Sequence, residues 1–117
     1  MNQTGIVGSH AEKLAVKYLA KHGLKIHKSN FRCRFGEIDL IMLDEEYLVF
    51  VEVRYRKHQS FGGALESVDG KKQQKLRRTA EYFLLTYKRT DTPCRFDILC
   101  VDGSLTDPFY NWVKNAF

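Results

Sequence analysis

The stretch from Gly36 to Arg54, GEIDLIMLDEEYLVFVEVR, constrains this chain most, because it puts acidic groups where a strand would bury apolar ones. Ile38, Leu40 and Met42 alternate with Glu37, Asp39 and Ile41 in its first half. In its second half Tyr47, Val49, Val51 and Val53 alternate with Leu48, Phe50, Glu52 and Arg54. The β-branched and aromatic content predicts two strands, and so apolar a run needs cover on both faces. Glu52 then shares a buried face with Leu48 and Phe50. If Glu45-Glu46 form a two-residue loop, Asp44 pairs with Tyr47 and the register brings Asp39 opposite Glu52. Cβ atoms of such cross-strand neighbours lie roughly 4.5–5.5 Å apart. Two carboxylates that close repel unless one is protonated or a cation lies between them, and oxygen-only ligands suit a hard ion such as Mg²⁺ or Mn²⁺. A longer loop or a one-residue slip would instead part them, each finding an Arg or Lys.

The remaining composition limits the company this hairpin keeps. A length of 117 residues with 44% hydrophobic content predicts a single domain, residues 1–117, with one real core. The formal charge of +5 favours an anionic partner such as nucleic acid. MNQTGIVGSH has neither a basic leader nor an apolar core of a signal, and no run approaches the ~18 apolar residues of a membrane span. The expectation is a cytoplasmic protein with no membrane partner. Cys33, Cys94 and Cys100 lie in or beside expected strands without close metal-ligand pairing, which predicts buried free thiols. The histidines form no HxxxH or His/Cys cluster and there is no Gly-rich phosphate loop, so zinc and P-loop chemistry are set aside.

In chain order, the spacing predicts a helix from about Thr4 to His22, capped by Ser9 or Thr4 and stopped by Gly23. Gly8, Ala11, Ala15, Val16, Tyr18 and Leu19 gather on one arc, and Lys13, Lys17 and Lys21 on the other. Glu12 projects from the apolar arc, where Ala15 and Val16 offer it no ion-pair partner one turn on. Leu24–Cys33 reads as a strand, interrupted near Ser29-Asn30, and Phe35-Gly36 as a turn into the hairpin, giving a three-stranded meander. The polar segment after Arg54, with Gly62-Gly63, reads as a loop that either closes over a substrate or simply connects. A second helix runs from Asp69 to about Tyr87, with Ser67 or Asp69 as cap and Leu76, Ala80, Phe83, Leu84 and Tyr87 inward. Lys72 falls on that inward stripe. Lys71, Lys75, Arg77 and Arg78 make the helix basic at its N-terminal half, against its macrodipole, so they answer either to an outside anion or only to solvent. Arg95–Asp102 is a fourth strand, parallel to the third across a helical crossover. Phe109–Phe117 docks as a short helix or strand.

The order helix, three-strand meander, helix, strand, with Asp39, then Glu52 and Arg54 on the next strand, resembles the PD-(D/E)xK nucleases of restriction-endonuclease-like fold. More closely, the chain is similar to the YraN-like family of small bacterial proteins, themselves similar in layout to archaeal Holliday junction resolvases. The likeness rests on Gly8 to Glu12, Asn30 to Ile41, Val49 to Arg54, Phe61-Gly62, Lys72-Gln73 and Arg95 to Asp97. It implies an α/β fold with an αβββαβ core, a mixed four-stranded sheet flanked by helices, and Mg²⁺- or Mn²⁺-dependent DNA endonuclease activity, possible on junctions, flaps or ends.

The resemblance further implies that Asp39, Glu52 and the Val53 carbonyl hold the ion, with Glu12 completing the shell directly or through water. Superfamily members commonly carry Lys where this chain has Arg54. Arg keeps its proton at any working pH, so it can orient phosphate but cannot act as a general base. Lys72 is then the candidate for the missing ammonium. Phosphate contacts are expected from Arg32, Arg34, Arg56, Lys57, Lys71, Lys75 and Arg78. A homodimer through the hairpin or the aromatic C-terminus would serve paired strand cuts. Two other readings compete with an endonuclease: a nucleic-acid-binding module that does not cleave, and a protein-interaction subunit whose acids are structural.

Overall fold

Small and apolar residues at helical spacing let the first helix, α1 (Gly5–Lys21), lie close on a sheet, and it buries Gly8, Ala11, Ala15 and Leu19. Val16 and Tyr18, expected inside, are only half-buried at the margin. The computed structural model describes residues 5–58 and 63–117. Ser9 lies within α1 and is therefore no cap, while Thr4 falls outside the described residues. Gly23, at φ +93°, ends the helix in a left-handed conformation that glycine adopts without strain.

The meander follows as β1 (Lys25–Cys33), β2 (Gly36–Asp44) and β3 (Tyr47–Arg56). Glu45-Glu46 form the expected two-residue loop, with Asp44 paired to Tyr47 and the ladder continuing through Leu40↔Val51. The irregularity in β1 falls between Ile26 and Lys28, not at Ser29-Asn30. Asn30 nevertheless takes φ +52°, a conformation its short polar side chain tolerates better than most. Cys33 pairs with Gly36, so the β1–β2 turn is Arg34-Phe35, one residue earlier than expected. Gly36 itself, at φ +151°, lies so close to the second helix that an added Cβ would meet Thr79 Oγ1 at 3.1 Å. β3 continues through Arg56, which shortens the expected loop, and Phe61-Gly62 lies outside the described residues.

After a 3₁₀ turn at Leu65–Ser67 comes α2 (Gly70–Thr86), capped by Asp69, whose carboxylate accepts from Lys72 N at 2.9 Å. Its buried residues are Leu76, Thr79, Ala80 and Phe83; Leu84 is half-buried, and Tyr87, past the last turn, is exposed. β4 (Cys94–Ser104) pairs parallel to β3, as a helical crossover requires. The C-terminal segment resolves as a strand, β5 (Asp107–Val113), antiparallel to β4, so the mixed sheet has five strands in the order β1-β2-β3-β4-β5. Tyr110 and Trp112, two residues apart, turn to one face, where Tyr110 stacks on Tyr18 of α1 at 4.2 Å.

The helices cover opposite faces. Met42, Val49, Val51, Leu99 and Val101 pack with α1, while Ile41, Leu48, Phe50, Ile98 and Cys100 pack with α2. Each such fully buried aliphatic or aromatic side chain stabilises the fold by about 1.5–3 kcal/mol. One pair breaks the alternation: Leu40 joins the α1 cluster and Ile38 the α2 cluster, although residues two apart on a flat strand share a face. β2 therefore turns over at Asp39, where its ladder with β3 has ended. Of the thiols expected inside, only Cys100 is buried; Cys33 is half-buried and Cys94 exposed, and all three are free. Among the described residues no helix is long and apolar enough to cross a membrane.

Candidate active site

Where β2 parts from β3, a side chain replaces the missing ladder. Asp39 Oδ2 accepts from Val53 N at 2.9 Å, so its carboxylate fills the backbone gap that the turned strand opens. N–H and C=O of one strand residue leave towards the same neighbour, and the Val53 carbonyl is therefore directed to this gap as well. Asp39 and Glu52 are both buried, 6% and 3% exposed.

The two carboxylates are under electrostatic strain. Burial pushes the Glu52 carboxyl up to about 8, the negative charge of Asp39 pushes in the same direction, and Lys72 and Arg54 oppose both. Asp39 is also raised, first by burial, with the Val53 N–H and a hydrogen bond from the Glu52 carboxyl pulling the other way. Lys72 Nζ stands 3.6 Å and Arg54 Nε 3.8 Å from Glu52 Oε2. Arg54 is held in place by an Nη2 donation to Ser67 O at 2.7 Å. The other oxygen, Glu52 Oε1, is buried and has no hydrogen-bond partner among the described residues. A buried acceptor left without a donor costs about 1–3 kcal/mol.

Glu12 reaches the same neighbourhood from α1. Its carboxyl is raised by burial and then by Asp39, and lowered by a hydrogen bond from the Asn30 side chain. Asp39 is thus the neighbour that Glu12 and Glu52 have in common. Among the described residues, however, no three His, Cys, Asp or Glu side chains gather closely enough to hold an ion as they stand. The donor set still fits a hard divalent cation: oxygens only, from two buried carboxyl groups side by side, with one orphaned oxygen.

The basic residues divide. Arg34, Lys57, Lys71, Lys75 and Arg78 are exposed, and Arg32, paired with Glu37 at 2.9 Å, keeps a side chain that is 70% exposed. Arg56 departs from the expectation of a phosphate contact. It donates from Nε and Nη2 to the two oxygens of Asp102 at 2.7 and 2.8 Å, with its side chain only 10% exposed, so its charge is committed inside the protein. Sequence reasoning gave Asn30 and Ser67 no role at the site, where they steady Glu12 and Arg54. The signals for Asn30 were a short polar residue inside an apparent strand and its place at the start of the family-like stretch; the Ser67 contact uses a backbone carbonyl, which carries no residue signature.

Fold and site define a small mixed α/β protein with a buried carboxylate pair, faced by two cations, at the point where two strands separate. A family model described as Uncharacterised protein family UPF0102 matches residues 11–101. UPF0102 proteins of Alcanivorax borkumensis and Pseudomonas fluorescens are 53% and 49% identical, each over 94% of this chain and 90% and 91% of their own lengths. A Stutzerimonas stutzeri relative, also a UPF0102 protein, is 47% identical over 100% of the chain and 98% of its own length. The chain belongs to UPF0102, the YraN-like family.

Proposed function

We propose that this protein is a divalent-metal-dependent endonuclease that hydrolyses phosphodiester bonds in DNA. The observation that carries the reading is the buried Asp39–Glu52 pair with an orphaned oxygen, opposed by Lys72 at 3.6 Å. Asp39, Glu52 and the Val53 carbonyl would hold Mg²⁺ or Mn²⁺, with Glu12 at the margin of the shell. Such an ion, when bound, polarises a phosphoryl oxygen and lowers the pKa of an attacking water.

The chain's own residues do the rest. Arg54, tethered by Ser67 O, is a fixed positive charge for a phosphate oxygen and stays protonated throughout. Lys72 enters from the other helix face and supplies the ammonium that the strand position lacks. Exposed Lys71, Lys75 and Arg78 extend positive charge along α2 for the phosphates on either side. A cytoplasmic setting accords with a DNA substrate, and two copies acting together would suit paired strand cuts.

A second reading, nucleic-acid binding without turnover, is favoured by the failure of Glu12, Asp39 and Glu52 to close into a three-carboxylate nest. Incubation with branched, single-stranded and linear duplex DNA in Mn²⁺ separates the two. Cleavage that disappears in Asp39→Asn supports the endonuclease; binding without cleavage supports the module. Lys72→Ala should lower cleavage about 10²–10³-fold while leaving Mn²⁺ affinity nearly intact, the range for loss of one charge-stabilising donor. Unchanged cleavage in that variant removes the role given to Lys72.

A further inference from the structure

Beyond the acid site, the outer surface of α2 carries a second feature. The Arg34-Phe35 turn lies on the helix at the close approach that Gly36 permits, and an open recess of about 460 Å³ forms between them. Phe35 and Tyr82 supply its aromatic surfaces, with ring centroids 6.1 Å apart and Tyr82 41% exposed. Two guanidinium groups lie near the Phe35 ring, Arg34 at 4.8 Å and Arg78 at 5.9 Å from its centroid. Aromatic rings on a soluble protein's surface, flanked by arginines, match the two halves of a nucleotide: a flat base and an anionic phosphate. Glu81, which also lines the recess, is out of place beside a phosphate but suits the amino edge of a base.

This recess is continuous with the candidate active site. Arg78 lines both the recess and a neighbouring depression that also includes Lys71 and Lys75, and those two lysines border the next, which contains Arg54 and Lys72. Along the helix, Tyr82 is ten residues from Lys72, about 15 Å at 1.5 Å per residue. That distance spans a few nucleotides of backbone, and the depression between is lined by Lys71, Lys75 and Arg78 with the neutral Gln74.

We propose that the Phe35–Tyr82 recess receives an unstacked base of a single-stranded segment, whose phosphates then follow Arg78, Lys75 and Lys71 to the Asp39–Glu52 pair. The inference deepens the nuclease reading and rests on it: the substrate class becomes DNA with an unpaired stretch beside the cut, in preference to continuous duplex. Paired bases inside a duplex cannot present a face to the rings, so stacking of this kind selects single strands regardless of sequence.

The test is binding in EDTA, which prevents cleavage. It uses a single-stranded oligonucleotide containing 2-aminopurine and a blunt duplex of the same sequence, read by fluorescence anisotropy and by quenching of the 2-aminopurine on stacking. The wild type should bind the single strand more tightly and quench the probe. Phe35→Ala should weaken single-strand binding about tenfold, abolish quenching and erase most of the preference over duplex. Tyr82→Ala, on the exposed helix surface, should act in the same direction and keeps the test decisive if the Phe35 variant does not fold. Absence of quenching, or an equal effect of both variants on the two DNAs, overturns the recess and leaves the nuclease reading standing. Failure of the wild type to bind either DNA at low salt overturns both.

Discussion

Two buried acid clusters, on either side of the same sheet's centre, are built to opposite rules. Asp97 on β4 is 1% exposed and saturated. Its Oδ1 accepts from Asn115 N at 2.9 Å and Arg95 Nε at 3.1 Å, its Oδ2 from Trp112 Nε1 at 3.0 Å, and Arg95 goes on to Asp44 at 3.0 Å. Glu52 on the adjacent strand is equally deep, yet its nearest cations stand at 3.6 and 3.8 Å, one oxygen lacks a described partner, and another carboxylate repels it. Burial of an acid is therefore not by itself a sign of function. What separates the two is whether the surroundings complete the charge or leave it to be completed from outside.

Removing Asp97 should give the largest stability effect. Asp97→Ala strands Trp112 Nε1 and the Asn115 N–H and weakens the hold on Arg95, for a loss of about 3–5 kcal/mol in urea denaturation. That is a large part of the ~5–15 kcal/mol that a domain typically has. A loss below about 1 kcal/mol would end the contrast, since Asp97 would then be no better supported than Glu52.

Asp39→Asn should instead leave the fold standing and lower Mn²⁺-dependent DNA cleavage by at least about 10²-fold, measured with purified variant against wild type. Retained cleavage at the wild-type rate would mean that the strained pair is not the site. Next, Mn²⁺ at a hundredfold excess over its Kd should stabilise the wild type by about 2.7 kcal/mol in a thermal melt. Asp39→Asn should show little of this shift, and the Asp97 cluster, already complete, should contribute none of it.

The remaining test is a pH dependence. The Glu52 carboxyl holds its proton more tightly in the folded protein, about 8 against an ordinary 4.5. Its contribution to metal-free stability is therefore fully present below 4.5 and is lost as the pH rises through about 8. Denaturation midpoints of the metal-free wild type should fall across that interval, and Glu52→Gln should flatten the fall. An unchanged slope in the variant would show that Glu52 is not the group under strain.

Much of this site was legible because its geometry is local. A two-residue Glu45-Glu46 loop admits one register, and that register holds as far as Leu40↔Val51, one residue short of the expected Asp39–Glu52 pairing. Helical spacing likewise brought Lys72 to the inner face of α2 and Glu12 to the apolar side of α1, where the structure has them half-buried. Arg56 was misread for the converse reason. Its partner Asp102 is 46 residues away on a parallel neighbour, and nothing in YRKHQ tells a committed guanidinium from a free one. The Phe35–Tyr82 recess was invisible too, since the turn and the helix that form it meet only after the sheet has assembled.

Sequence alone thus determined most of which residues face which side of the strands and helices, β2 at Asp39 excepted, because side-chain direction follows from backbone periods of 2 and 3.6 residues. Tertiary structure decided which charges are spent and which remain. The turning-over of β2 at Asp39, the tether on Arg54 and the pairing of Arg56 depend on contacts between distant segments, and the energy of a buried charge is set by those contacts.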